Sequence, residues 1–484
     1  MVGPPKFAPS TLNFSDSPYA PFSKCDKLGK VADWAVEAAP KAPRVSHNRG
    51  YRDPYFAYGA SSSSFFATEA PETAVNFSVV DNAKQVPKQA RQQTHAVLKR
   101  RGNAPPAQPQ APSSGMKGRR QPWQSERKVR EPSITIGSDW SLIQTNQFTD
   151  LTKLYYEVAS STKLLSAGSL RQYNKSIERG LARLPEAPAS YAVSTSDDPI
   201  IEKLRSEGAG QVYATDKIIA LLMSATRTIL PWEIFVTKKG RELVFDKRDD
   251  GPLDFLTVDE NHSNPPTENA EQTINTPSQL ALEATYLNTN LAAAALNTSI
   301  PASEMDQASP FSEDGEEDIK GYFYTSTDLS NSSDSEPLRL IMRTEVDALN
   351  DKQPTIIRAL NEYRAPLEWK DTWRDRPGSI LGSEARNNLA KLSQWIAQAY
   401  LADARLRIGF VSRTNAKDRK SHELVGMVSH ETNVLASQLN FDVRNGWGIV
   451  RSVIDFALGC EDGKYVLLRD PNAPALKFYR CGSK

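Results

Sequence analysis

Two acids spaced two apart on an extended segment are the most enzyme-like feature of the sequence. Glu345-Val346-Asp347 closes an apolar run, and Thr355-Ile356-Ile357-Arg358 follows. Side chains at i and i+2 of a strand share a face, so both carboxylates point the same way. A metal-dependent nuclease sets such a pair beside a second strand of the form acid-x-Lys, and together they hold Mg2+ and orient water. Here Ile356 stands at the position of that second acid, and Arg358 keeps only the positive charge. Two carboxylates hold a cation weakly and water activation needs more, so a lost site fits better than a working one. No catalytic residue, metal or other cofactor is expected.

Other chemistry is scarce. The histidines, His47, His95, His262, His422 and His430, fall in no ligand spacing and read as surface or loop residues. Neither a Gly-rich phosphate loop nor a GxSxG elbow occurs. Cys25, Cys460 and Cys481 are irregularly spaced, which argues against a zinc site or a disulfide framework and for reduced thiols in a cytosolic or nuclear compartment. Asp246-Lys247-Arg248-Asp249-Asp250 is a dense charged turn, either an internally paired loop or a functional edge.

The elements that would position these groups begin near residue 134. Ser133-Ile134-Thr135-Ile136 alternates like a strand. Pro199, Ile200, Ile201 and Leu204 suggest a short helix. A stronger one opens at Thr215-Asp216 and carries Ile218, Ile219, Leu222 and Met223, then Ile229. Apolar runs on either side of Lys239-Gly240 read as a hairpin. Thr276-Pro277-Ser278-Gln279 has the form of a capping box with proline at the first helical position, opening a helix through Leu291. Strands are predicted over 321–327, 338–347, 355–360, 407–412, 424–428, 465–468 and 476–479, with long helices over 383–401 and 447–458. Without a regular βαβ repeat, the pattern predicts a mixed α+β domain of roughly 350 residues rather than a doubly wound nucleotide fold.

Residues 1–132 differ in composition. Hydrophobic residues make up 39% of the 484-residue chain, which suggests that part of it joins no core. Pro, Ser, Gly and Gln are frequent across residues 1–132; residues 1–83 read as an extended tail, and one apolar island there (Tyr19, Phe22, Leu28, Val31, Trp34) fits a docking motif that orders on a partner better than it fits a core. Residues 84–130 carry twelve Lys and Arg against the single acid Glu126, interrupted by prolines. The segment 84–132 reads as a basic disordered linker, which attracts phosphate with little sequence preference or serves as a solvated tether. The net charge of +1 excludes a generic polyanion binder. No apolar run approaches the roughly 18 residues of a membrane span, so a soluble protein is expected.

Taken in order, LGKVADW, LVFDKRDDGPLDFLTVDE, LEATYLNTN, RIGFVSR, NGWGIVRSVIDF and DGKYVLLRDPNAP resemble the d-subunit family of eukaryotic translation initiation factor 3, from about residue 18 to 479. The resemblance implies a large domain, here 133–484, similar in fold to the DXO-type 5′-end decapping exonucleases. In those enzymes a GYKFE-like strand, an ExD strand and an ELK strand supply the metal ligands. The corresponding residues are Gly321-Tyr322-Phe323-Tyr324-Thr325, Glu345 with Asp347, and Ile356-Ile357-Arg358, so two ligand positions are missing.

What the family implies is recognition of the mRNA 5′ cap and RNA, in the cytoplasm, by a protein bound to the rest of factor 3 and to the small ribosomal subunit. Its cap face maps onto a helix with Asp216, Ile229 and Leu230 and another with Thr285, Asn288 and Thr289. A methylated guanine favours stacking faces and an acceptor, for which Asp216, Tyr286, Phe245 and Trp232 are candidates. Leu230 stands where an aromatic is common and Thr289 where histidine is common. The insertion Asp259-Glu260-Asn261-His262-Ser263-Asn264-Pro265-Pro266-Thr267-Glu268-Asn269-Ala270-Glu271-Gln272-Thr273-Ile274-Asn275 matches a segment that can lie across the RNA path as a gate; a floppy loop is equally compatible. Leu28, Val31 and Trp34 correspond to the anchor on the neighbouring e-type subunit of the factor. A working decapping nuclease and a purely architectural protein with a vestigial cap pocket are the alternatives.

Overall fold

Runs rich in β-branched and aromatic residues build two sheets, described in a computed structural model over residues 131–179, 182–187, 192–267, 274–311, 320–331, 334 and 336–482. The larger sheet has ten strands in the order Ser141–Gln147, Ala475–Arg480, Gly463–Arg469, Glu233–Lys239, Glu242–Asp246, Val212–Thr215, Arg339–Val346, Gly321–Asp328, Thr162–Leu170 and Ser303–Glu304. Five make the smaller one: Ala348–Asn350, Gln353–Glu362, Arg405–Asn415, Asp418–His430 and Ala182–Arg183. Most neighbours are antiparallel. Val212–Thr215, however, runs parallel to both of its neighbours, and Gln353–Glu362 runs parallel to Arg405–Asn415. This is the α+β arrangement with mixed sheets that the pattern predicts.

The sheets meet at one residue. Arg339–Val346 belongs to the large sheet and Ala348–Asn350 to the small one, with Asp347 between them donating its N–H to the Thr355 carbonyl at 3.1 Å. Val212–Thr215 is buried along its length and runs directly into the helix Asp216–Met223. That helix is apolar nearly all round, as a helix enclosed on every side must be, and every residue except Lys217 is buried. A single apolar cluster joins its Ile218 and Leu222 to Trp395, Ile449, Leu340, Ile356 and Phe410, drawn from two further helices and both sheets.

Several local signals act as read. The short helix expected from Pro199 is Pro199–Ser206, and its cap is Asp198, a residue not read as one, whose Oδ1 accepts from the Ile200 and Ile201 amides at 2.9 and 3.1 Å. Thr276 caps Pro277–Ala294, with Pro277 in the first position. Gly240 turns the hairpin at φ +59°, where a Cβ would be strained.

Others need correction. Residues 133–136 form no strand, and the first one is Ser141–Gln147. The helix from Asp216 stops at Met223, where Ser224 Oγ turns back to the Ala220 carbonyl at 2.8 Å. Ile229 and Leu230 are therefore outside it. The helix expected over 383–401 is two, Pro377–Asn387 and Leu389–Leu401, broken at Asn388. The Asn388 amide donates to Glu384 Oε2 at 2.8 Å and Asp259 Oδ1 at 3.3 Å, while Asn261 Oδ1 accepts from the Ala390 N–H at 2.9 Å. His422 and His430 are not surface residues but lie buried in Asp418–His430. Among the described residues no helix is long and apolar enough to cross a membrane.

Candidate functional site at the sheet junction

Strand alternation puts Arg343, Glu345 and Asp347 on one face as the chain leaves the large sheet. Arg343, only 1% exposed, donates to Asp198 Oδ2 at 2.8 Å and to the Val193 carbonyl at 2.8 Å, and its guanidinium lies over the Phe311 ring at 5.0 Å. Tyr324 donates to Asp198 at 3.0 and 3.1 Å. Burial, with Asp198 beside it, holds the Tyr324 phenol protonated far above its usual range. The helix cap Asp198 thus also closes a buried network under the junction.

Each acid of the Glu345–Asp347 pair is already engaged by cations of the protein. Glu345 Oε2 lies 3.4 Å from Lys320 Nζ and 3.8 Å from Lys217 Nζ, and Glu345 Oε1 lies 3.5 Å from Arg343. Asp347 Oδ2 accepts from Arg358 and from the Ile357 amide, both at 2.7 Å. Burial alone would raise the Glu345 carboxyl, but Lys217, Lys320, Arg343 and Arg358 outweigh it and hold the group well below the usual carboxylate range. Asp216 moves the other way. Burial, then the Glu345 charge, pushes it up to about 6 against the pull of Lys217, Arg343 and Arg358. Its Oδ2 accepts long bonds from the Glu345 amide and Gln398, both at 3.4 Å, while Oδ1 has no partner among the described residues. Thr325, where the resemblance expects the acid of the first ligand strand, turns its hydroxyl to the Met342 carbonyl at 3.4 Å, and Ile356 is fully buried. Among the described residues no three His, Cys, Asp or Glu side chains form a group able to hold a metal ion.

The remaining residues predicted from sequence are brought together only in part. Glu260 Oε1 accepts from the Ile229 and Leu230 amides at 2.8 and 3.2 Å, and Thr257 Oγ1 donates to Glu260 Oε2 at 3.1 Å. Slightly earlier in the chain, the Leu256 amide donates to Thr285 Oγ1 at 3.1 Å. The 256–260 segment therefore bridges the Leu230 loop to the Pro277–Ala294 helix. Asn288 brackets Ala359, its Oδ1 accepting from the Ala359 amide at 3.1 Å, and Thr289 Oγ1 returns to the Thr285 carbonyl at 3.4 Å. Asp216, in contrast, faces Glu345 and Gln398. Phe245 and Trp232 are buried core, Trp232 Nε1 being bonded to Thr228 Oγ1 at 2.9 Å, so neither offers a stacking face.

The start of the insertion is not a floppy loop. Asp259 and Glu260 are buried, Asp259 accepts from Tyr363 at 2.9 Å, and Arg364 binds the Asn264 carbonyl at 2.6 Å. At the other end Arg413 holds Asn275 at 2.8 Å. Residues 268–273 lie outside the described residues, as do Leu28, Val31, Trp34, His47, His95 and the basic segment 84–130. In the 246–250 turn Lys247 pairs with Asp249 and Asp254, both at 3.0 Å, and Arg248 with Glu233 at 2.8 Å, as the internally paired reading expects. Sequence reasoning missed Asp198, Lys217, Lys320 and Arg343. Arg343, at i−2 from Glu345, was the one carrying a legible signal.

These features define an α+β domain whose central carboxylates are neutralised from within. A family model described as eukaryotic translation initiation factor 3 subunit 7 matches residues 1–480. The D subunits of eukaryotic translation initiation factor 3 from Yarrowia lipolytica and Schizosaccharomyces pombe are 40% and 35% identical, covering 99% and 96% of this chain and 96% and 92% of their own lengths. Among solved structures, S. pombe Rai1 in complex with 3'-FADP gives a TM-score of 0.42 at 12% identity, over 70% of this chain and 98% of that one. Candida albicans Rai1 in complex with pU5-Mn2+ gives 0.43 at 12%, over 68% and 91%. The chain belongs to the D-subunit family of eukaryotic translation initiation factor 3.

Proposed function

We propose that the chain is a non-catalytic component of initiation factor 3 that binds the mRNA 5′ cap and RNA and promotes cap-dependent initiation on selected messages in the cytoplasm. Its partners on this reading are other subunits of the factor, the e-type subunit through Trp34 in particular, and the small ribosomal subunit. Family membership supports the role in initiation. The observation that carries the rest is the junction itself. Four carboxylates, Asp198, Asp216, Glu345 and Asp347, lie among four cations, Lys217, Lys320, Arg343 and Arg358. A metal ion would have to displace these cations before it could activate water, whereas a phosphate-bearing ligand meets donors. Asp216, Ile229, Leu230, Thr285, Asn288 and Thr289 are the proposed cap-facing residues.

One observation favours the architectural alternative. The Asn288 amide and the Thr285 hydroxyl are both occupied by bonds within the fold. Binding of the full chain to matched capped and uncapped RNA, with Mg2+ present and product lengths measured, separates the readings. Cap-dependent binding with intact RNA is expected. Cleavage would overturn the non-catalytic assignment, and cap-indifferent binding would move the reading to the architectural one.

A further inference from the structure

Lys217 is the least satisfied cation of the junction. It is the one residue of its helix that is not buried, with its side chain 29% exposed. Among the described residues its ammonium makes no hydrogen bond, and its nearest carboxylate oxygen, Glu345 Oε2, is 3.8 Å away. The same oxygen is shared with Lys320, whose side chain is 25% exposed. Arg358, on the adjacent strand, spends one of its nitrogens on Asp347 and the Ile357 carbonyl. Lys217 also sits in the first turn of a helix with no side-chain cap at its N-terminus, where unpaired backbone N–H groups and the helix dipole favour an anion. Asp216, whose Oδ1 has no partner among the described residues, is with Glu345 a carboxylate that a phosphate here has to compete with.

We infer that Lys217, Lys320 and Arg358 form a subsite for a polyphosphate chain, at the place where related chemistry would require a metal. A phosphate oxygen takes the Lys217 hydrogen bonds that no described residue accepts, and Glu345 is the internal anion with which it competes. The inference deepens the cap-and-RNA reading and rests on it for the source of the phosphates. The bridge of a capped 5′ end and the triphosphate of a free nucleotide share this chemistry.

The test is calorimetric binding of inorganic tripolyphosphate, GTP, the m7GpppG dinucleotide and 7-methylguanosine to the full chain and its variants. Tripolyphosphate is expected to bind and to compete with m7GpppG. Lys217→Ala should weaken both by about tenfold, the scale of one charge-assisted hydrogen bond, and leave 7-methylguanosine unchanged. Lys217→Arg should retain most of the affinity, and Glu345→Gln should strengthen tripolyphosphate binding because the competing carboxylate is gone. Melting curves of each variant identify any loss that is merely misfolding, in which case the Arg and Gln variants decide. Binding of GTP as tight as that of m7GpppG would leave the polyphosphate site standing and sink the cap reading. A wild-type chain that ignores tripolyphosphate, or a Glu345→Gln chain that binds it more weakly, would overturn the site itself.

Discussion

Removing the Glu260 carboxylate should loosen the loop that carries Ile229 and Leu230. In the folded chain this one side chain accepts from both amides, at 2.8 and 3.2 Å, and from Thr257. Glu260→Ala leaves both amides without an acceptor. A buried donor left unpaired costs about 1–3 kcal/mol. Leu230 is buried, whereas Ile229 is half-buried and can recruit water, so the Leu230 amide carries most of the cost. Part is returned, because burying the charge is itself unfavourable: burial pushes the Glu260 carboxyl up despite the bonds it accepts. The net loss is about 1–2 kcal/mol, a fall in melting temperature of roughly 1–3 °C for a domain of about 350 residues. Glu260→Gln keeps an acceptor and should stay near the wild type. Hydrogen exchange gives the local reading, with the Ile229 and Leu230 amides exchanging faster in Glu260→Ala and not in Glu260→Gln. If both amides stay as protected in the alanine variant as in the wild type, the bridge is not held by Glu260 and the reasoning fails.

Glu384→Gln should change the pH dependence of stability. Burial, reinforced by Asp259, pushes the Glu384 carboxyl from 4.5 up to about 8 against the pull of Lys391 and Asn388. A raised acid contributes stability that is complete below its unfolded pKa and lost as pH climbs through the folded one. Urea midpoints should therefore shift in favour of the Gln variant between about pH 5 and about pH 8; a constant difference would refute the assignment. Asp198→Ala leaves the buried Arg343 only the longer 3.5 Å pairing with Glu345 and uncaps Pro199–Ser206, so a loss of about 3–5 kcal/mol in denaturant unfolding is expected; a loss under about 1 kcal/mol would count against a buried network. Trp34→Ala should release the chain from the e-type subunit in a pull-down while leaving its melting temperature unchanged, and retention would exclude the docking motif. Deleting residues 84–130 should flatten the salt dependence of RNA binding, whereas an unchanged slope would exclude that segment as a phosphate contact.

The sequence was most legible where one local cause suffices. Thr276-Pro277 fixes a helix start and Gly240 a hairpin, because the cap, the proline and the left-handed glycine act within a few residues. That Ile356 stands where the nuclease pattern has an acid, and Arg358 where it has a lysine, is likewise read from the residues alone. Distant causes were not legible. Asn388 interrupts a helix because Asp259, 129 residues earlier, takes its side chain. His422 looks solitary in the sequence yet is buried against Glu283, 139 residues away, which Arg413 also holds at 2.8 Å. The alternation at 133–136 had the right period but no strand to pair with, and alternation alone does not supply one. Cap-facing residues were assigned to one helix when the chain stops that helix at Met223, and Glu260 gathers Ile229 and Leu230 instead.

Charge balance at the junction connects these two kinds of information. Arg358 in place of lysine is visible in the sequence, but its consequence appears only when Lys217 and Lys320 are seen converging on Glu345 from a helix and from the start of the Gly321–Asp328 strand. Glu345 is held ionised by these cations, and that fixed charge in turn helps keep the neighbouring Asp216 protonated up to about pH 6. A divalent cation approaching Glu345 would meet two ammonium groups and a guanidinium within 3.8 Å, and displacing them would leave buried positive charge unpaired. An anion approaching from the Lys217 side meets the opposite situation, an ammonium with hydrogen bonds still to give. On the proposed reading the sign of the ligand is set by which charges the fold has already paired, and on the Lys217 side of the junction the unused hydrogen-bonding capacity is that of a cation, with Asp216 and Glu345 as its competitors.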